Sequence, residues 1–216
     1  MHAVAVRADL TTPAPATQGC VAVLDESAAL SGQALARAEA LLDQQPSVGT
    51  VFIAAGEDTR YGVRTGHQWL RLAAARGPDT VGSRCAVMRR AIFDAAAQRG
   101  LGTRSGELSL WLRAAALADV AHVVEPPPIG SPTPVDRPAV RVGEVAELHE
   151  RAHAFRELFD GFAPLRAESR LRAAAYRALA SSARGRAWVA VFEGDRVEAS
   201  LCRHLAHDVA RWRRER

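Results

Sequence analysis

At 216 residues, 48% hydrophobic and 24% charged, the chain has an ordinary globular composition, which excludes a disordered or fibrous protein. It contains no lysine and no asparagine, and the pressure of a GC-rich genome on codon choice explains part of its arginine content. The formal net charge of +4 does not by itself point to nucleic acid, because arginine is interleaved with Asp and Glu and only Arg211, Arg213, Arg214 and Arg216 cluster, as the end of a solvated helix would.

Residues 2–7 and 19–24 have the alternating or continuous apolar character of strands and are separated by a loop carrying two prolines. From Ala29 to Gln45 the apolar positions Leu30, Ala34, Leu35, Ala38, Leu41 and Leu42 recur at helical spacing. Ser27 or Ser31 is the candidate cap and Pro46 the stop. Thr50–Ala55 reads as a buried strand ending at Gly56. Helices are expected over 66–76, 81–98 and 107–117, with a strand over 120–124. Residues 125–138 hold too many prolines for either element and read as an ordered loop or hinge. Beyond it, helical patterns cover 142–159 and 167–180, a strand is expected at 188–192, and an amphipathic helix at 197–214.

Cys20, Cys85 and Cys202 are odd in number and lack C-x-x-C spacing, so they read as buried thiols. No apolar run approaches the roughly 20 residues that cross a bilayer, and Asp9 interrupts any signal-peptide core. The expected compartment is the cytoplasm, with no membrane partner.

Two stretches carry a resemblance. Residues 28–56, AALSGQALARAEALLDQQPSVGTVFIAAG, are similar in order and residue class to the opening of the crotonase (enoyl-CoA hydratase/isomerase) superfamily. Residues 95–124 resemble that family's glycine-containing turn and following helix, with Glu107-Leu108-Ser109-Leu110 on its E-L-a-L segment. The resemblance implies an α/β fold, a crotonase-like spiral of β-β-α units with a C-terminal helical region. The corresponding division is a core at 1–125, a Pro-rich loop at 126–140 and a mainly helical region at 141–216. Within the family, the short chain looks most like the small members that assist 3,5-dihydroxyphenylacetyl-CoA formation in glycopeptide-antibiotic biosynthesis.

Family chemistry uses two backbone N–H groups to hold a thioester oxygen as an enolate develops. The resemblance assigns the first to the region of Gly62 or Gly66 and the second to the turn containing Gly102 and Gly106, where Thr103, Arg104 and Ser105 stand in place of the usual glycines. Glu107 and Glu125 are the nearby acids for proton transfer, although a helix N-terminal charge or a solvated loop acid is the plainer reading of each.

One further motif stands apart. His149-Glu150-Arg151-Ala152-His153 has the H-E-x-x-H spacing that sets two imidazoles on one helix face for a metal, with Glu168 as the candidate third ligand. His204 and His207 are additional candidate ligands. The plainer reading sets His149 and His153 on the exposed side of an amphipathic helix and makes His204 and His207 solvated or interface residues.

The leading expectation is therefore a crotonase-like protein that takes an acyl-CoA or polyketide-derived CoA thioester as substrate or ligand and supports dehydration, isomerisation or enolate chemistry, as a lyase or isomerase if it is active. It needs no other cofactor and assembles as a homo-oligomer, a trimer or hexamer as the resemblance implies. The alternatives are a non-catalytic partner of another pathway enzyme and an H-E-x-x-H metalloenzyme.

Overall fold

A computed structural model of the chain describes residues 4–7, 19–24, 31–55, 62–76, 85–97, 106–125 and 144–214. The described residues are α/β and divide into two compact units. One comprises Met1–Trp69 and Val81–Ser131, the other Leu70–Thr80 and Pro132–Arg216. Among the described residues no helix is long and apolar enough to cross a membrane.

The first unit is built on a five-stranded mixed sheet: β1 (Val4–Arg7), β2 (Cys20–Leu24), β3 (Val48–Ala55), β4 (Cys85–Arg89) and β5 (Asp119–Glu125), in the order β1-β2-β4-β3-β5. β1 and β2 pair in parallel, as do β3 and β5, while β4 is antiparallel to both of its neighbours. Alternation sorts the side chains by face. Cys20, Ala22, Val51, Ile53, Cys85, Val87, Ala121 and Val123 point to one side and pack with Ala34, Ala38 and Leu42 of helix α1 (Gly32–Gln44). Ser31 is the cap, its hydroxyl accepting from the Ala34 N–H at 3.1 Å. The other end of α1 is held by Arg89, whose guanidinium donates to the carbonyls of Leu42 and Gln45 and, at 2.8 Å, to that of Val48.

The opposite face carries Phe52 and His122, which are directly paired across β3 and β5. Here α2 (Gly66–Arg76) contributes Trp69, and α4 (Gly106–Leu117) contributes Trp111. Trp69 stacks on Phe52 at 5.4 Å, and Trp111 meets the same ring edge-on at 5.2 Å. A register shift between Val48 and Thr50 makes Gly49 the extra residue of a bulge in β3. A Cβ at Gly49 would lie 2.4 Å from that of Ala118, so glycine is what lets β3 pass under the turn between α4 and β5.

One expected helix is corrected. The stretch 81–98 is not helical throughout, because Cys85–Arg89 is a strand and only Arg90–Ala97, α3, is helix. Every residue from Cys85 to Met88 is buried, as a strand between two others requires.

The second unit contains α5 (Glu144–Gly161), a 3₁₀ turn at Ala163–Leu165, α6 (Ser169–Phe192) and α7 (Arg196–Trp212). The expected strand at 188–192 is also corrected, since these residues are the last turns of α6. Alanines and a cysteine line the facing sides of α6 and α7, at Ala175, Ala183, Ala187 and Ala190 against Ala199, Cys202 and Ala206, which permits close approach. The connection is a Schellman turn. Gly194 has φ of 80°, its N–H donates to Val191, and the Asp195 N–H donates to Ala190. Asp195 then caps α7 by accepting from the Glu198 N–H at 2.8 Å. An aromatic chain closes the core: Phe155–Phe159, Phe159–Tyr176 and Tyr176–Trp212, with ring separations of 6.1, 5.7 and 6.3 Å. Ser182 ties Leu70–Thr80 to this unit by donating to the carbonyl of Ala75 at 2.9 Å.

All three cysteines are buried thiols. Burial, and secondarily the negative charge of Glu39, raises the Cys20 thiol above its ordinary range.

Candidate functional site

The direction of α4 decides which of the expected residues can act together. At one end Ala118 approaches Gly49, and further along Trp111 meets Phe52, so α4 runs antiparallel to β3 and β5. From Trp111 to Glu107 is roughly 6 Å of helix, and from Phe52 to Ala55 about 10 Å of strand. The α4 N-terminus, with Gly106 and Glu107, therefore lies level with the carboxyl ends of β3 and β5. There Ala55 pairs with Glu125. Both expected acids are thus on backbone at the same end of the sheet, where ligands of open α/β sheets are commonly bound.

The expected glycines divide between the two ends. Gly66 packs so tightly on α4 that a Cβ there would sit 1.7 Å from the Ala115 carbonyl oxygen and 2.7 Å from that of Ala118. Nine residues of helix, roughly 13 Å, separate Ala115 from Gly106. Gly66 and Gly106 therefore do not converge on one oxygen, and the role of Gly66 is close helix packing. Gly62 is in open space, two residues before Arg64, which pairs with Val120 at the start of β5 through N–H to carbonyl bonds of 2.8 and 2.9 Å. This again is the end remote from Gly106. Gly102, the loop 56–61 and most of the Pro-rich segment lie outside the described residues.

Reading the sequence missed the Arg64–His122 pair. The Arg64 guanidinium is 3.4 Å from His122 Nδ1, and the imidazole stacks on Phe52 at 5.6 Å. A polar pair thus enters an aromatic cluster at half-buried positions. The available signal was His122 itself, the polar member of an otherwise apolar strand VAHVV. In the same unit the Thr50 and Ser109 hydroxyls and the Trp69 indole N–H are buried without a hydrogen-bond partner among the described residues.

In the second unit the H-E-x-x-H segment lies within α5 and turns a different side inward from the one a metal site needs. Arg151 is 4% exposed and Ala152 fully buried, whereas Glu150 and His153 are exposed and His149 is half-buried. His153 lies against the Trp212 ring at 5.6 Å. Burial lowers the His149 imidazole below the ordinary histidine range. The neighbouring His153 adds to that shift and Asp208 opposes it. Among the described residues no three His, Cys, Asp or Glu side chains are grouped as metal ligands, so Glu168 does not complete a site with the two histidines. His204 donates instead to the Ser200 carbonyl at 2.9 Å, and His207 is exposed beside Asp208.

The residues that remain together are those at the carboxyl ends of β3 and β5 and the N-terminus of α4. That end offers the backbone N–H groups of a helix N-terminus, which are suited to polarising a carbonyl, with Glu107 and Glu125 on the backbone beside it. No family model matches the chain, and no curated protein or solved structure matches it either.

Proposed function

We propose that this chain binds an acyl-CoA or polyketide-derived CoA thioester at the carboxyl ends of β3 and β5, in a crotonase-like arrangement, and supports enolate chemistry there. The observation that carries this reading is the antiparallel lay of α4, which brings Gly106, Glu107 and Glu125 to one end of the sheet. Backbone N–H groups at the N-terminus of α4 would donate hydrogen bonds to the thioester oxygen. Glu125 or Glu107 would take the proton from the carbon beside it, leaving the electron pair on that oxygen. From the same enolate, a 3-hydroxyacyl thioester loses its hydroxyl as water to give an enoyl thioester, and an enoyl thioester isomerises when the proton returns at another carbon; the compartment of this reading is the cytoplasm.

Titration calorimetry with acetyl-CoA and crotonyl-CoA tests the reading. Binding is expected, with Glu125→Gln and Glu107→Gln retaining affinity while the variant of the acting acid loses exchange of the α-proton. Absence of binding by both thioesters would overturn it.

A second reading has its own support. Thr103, Arg104 and Ser105 replace the glycines that let a backbone approach a thioester, which favours a crotonase-fold partner that assists another biosynthetic enzyme. Binding without proton exchange, together with stimulation of a neighbouring enzyme, is the result expected of that reading.

A further inference from the structure

Helix α6 departs from the mixed charge of the rest of the chain. From Ser169 to Phe192 it carries Arg170, Arg172, Arg177, Arg184 and Arg186 and no Asp or Glu. Two of these arginines serve the unit itself, Arg172 with Asp160 at 2.8 Å and Arg186 with Glu193 and Glu198. Arg170, Arg177 and Arg184 are exposed and have no ion-pair partner among the described residues.

These three arginines are seven residues apart, so each stands about 10 Å along the helix from the last with only about 20° of drift. The line continues through Trp188, 65% exposed, to Phe192, 85% exposed, whose ring centroids are 6.3 Å apart. At about 100° per residue, Arg170, Arg177, Arg184, Trp188, Val191 and Phe192 share an arc of about 100°. The buried Leu179, Ala183 and Ala190 lie opposite, and the Arg186–Glu193 pair is on that far side as well. The outward face of α6 is thus cationic for most of its length and aromatic at its C-terminal end, with no acid on it.

We propose that α6 docks this face on an anionic lipid surface, lying in the interface with Trp188 and Phe192 in the apolar layer and Arg170, Arg177 and Arg184 on the lipid phosphates.

Charge gives the sign of the partner. Three cations in a row, unanswered by any acid on the same face, are complementary to the negative potential of a phosphatidylserine-containing leaflet. Shape gives its extent, because a straight line of side chains about 33 Å long meets a flat surface along its whole length. The side chains at the C-terminal end give its chemistry. An indole partitions to the headgroup level and a phenyl ring below it. Nucleic acid also offers phosphates and would stack on the rings, but it has no use for Val191, nor for Val189 and Val197, which are exposed at the same end of the hairpin. Fluid hydrocarbon covers aliphatic side chains whichever way they point. A helix lying in the interface needs no membrane-crossing length, and among the described residues no helix has it. The inference is independent of the thioester reading.

The test is binding of the full chain to phosphatidylcholine vesicles with and without phosphatidylserine, read by flotation and by tryptophan emission. Trp69, Trp111 and Trp212 are buried, so a blue shift on binding reports Trp188 leaving water. Wild type is expected to bind the anionic vesicles, to show that shift, and to be released by salt. Trp188→Phe should still bind without the shift. Arg177→Gln and Arg184→Gln should each weaken binding about fivefold, and Phe192→Ser about tenfold. Arg213→Gln, outside this face, should change it by less than about twofold. Circular dichroism should show every variant folded as wild type is, since all these positions except Trp188 and Phe192 are charged surface sites. If Phe192→Ser misfolds, the Arg177→Gln, Arg184→Gln double variant decides. Failure to bind anionic vesicles overturns the proposal, whether or not the chain binds a DNA oligomer. So does binding without the blue shift, or binding that Arg213→Gln weakens as much as Arg177→Gln and Arg184→Gln do.

Discussion

Cys85–Arg89 in the sheet and Trp188–Phe192 in the helical unit are five-residue runs of comparable apolar character with opposite surroundings. The first lies between two strands and is buried on both faces. The second ends a long helix whose inner side is already filled by alanine, so its tryptophan and phenylalanine face water. In one region large side chains are the core, while in the other small side chains are the core and the large ones are surplus to it. Apolar content alone therefore does not say where a side chain goes. That depends on whether the neighbouring element approaches closely or leaves a gap to fill.

The largest test of this contrast is the same substitution in both places. Phe52→Ala removes the ring that Trp69, Trp111 and His122 pack against, and should cost about 4 kcal/mol in urea unfolding. Phe192→Ala, by the same measurement, should change stability by no more than about 0.5 kcal/mol. Equal losses would contradict the division into filled and surplus positions.

Next in size is Gly66→Ala, which drives a methyl into the backbone carbonyl of Ala115 and should destabilise by about 3 kcal/mol. Gly62→Ala, in open space four residues earlier, is its control and should be nearly silent by the same measurement. Arg89→Met removes the donors that satisfy the carbonyls at the end of α1 and should cost about 2 kcal/mol, with thermal melting as the readout.

The smallest effects are titrations in the helical unit. Burial is the main cause that pushes the Tyr176 hydroxyl up to about 12, against the opposing charge of Arg172. The unfolded chain releases this proton near pH 10, so stability should fall as pH rises from about 10 to about 12, and Tyr176→Phe should remove that slope. His149 acts in the opposite direction along the scale. Its lowered folded value means that the unfolded state binds the proton first, so its contribution is present above the ordinary histidine range and is lost as pH falls below about 6.5. A His149→Gln variant should show a shallower acid limb.

The elements best read from the sequence are those with local punctuation. Ser31 and Pro46 bracket α1, and Thr65 with Gln68 forms a reciprocal capping box at the start of α2, with bonds of 3.2 and 3.1 Å. The two misread runs lack such marks. CAVMR sits inside a stretch whose later residues are helical, and WVAVF is rich in β-formers, yet sheet pairing in one and continuation of an alanine-lined helix in the other prevailed over local pattern. The backbone placement of the candidate site was legible in part. Glu107 and Glu125 share an end of the sheet because α4 doubles back directly into β5, a connection visible in the sequence. That Gly66 lies at the other end follows from a helix crossing that no local signal encodes, and the Arg64–His122 pair joins residues 58 positions apart.

The membership of Leu70–Thr80 in the helical unit has a practical consequence. In sequence it is enclosed by the two parts of the sheet unit, so the folding units are nested. A fragment beginning at Pro132 would be made without the segment whose Ala75 carbonyl receives the Ser182 hydroxyl, and a fragment ending at Ser131 would carry that segment with nothing of its own unit to join. On a ribosome, the helical unit cannot be completed until after the sheet has emerged. Separate expression of the two units should therefore fail where coexpression of the intact chain succeeds.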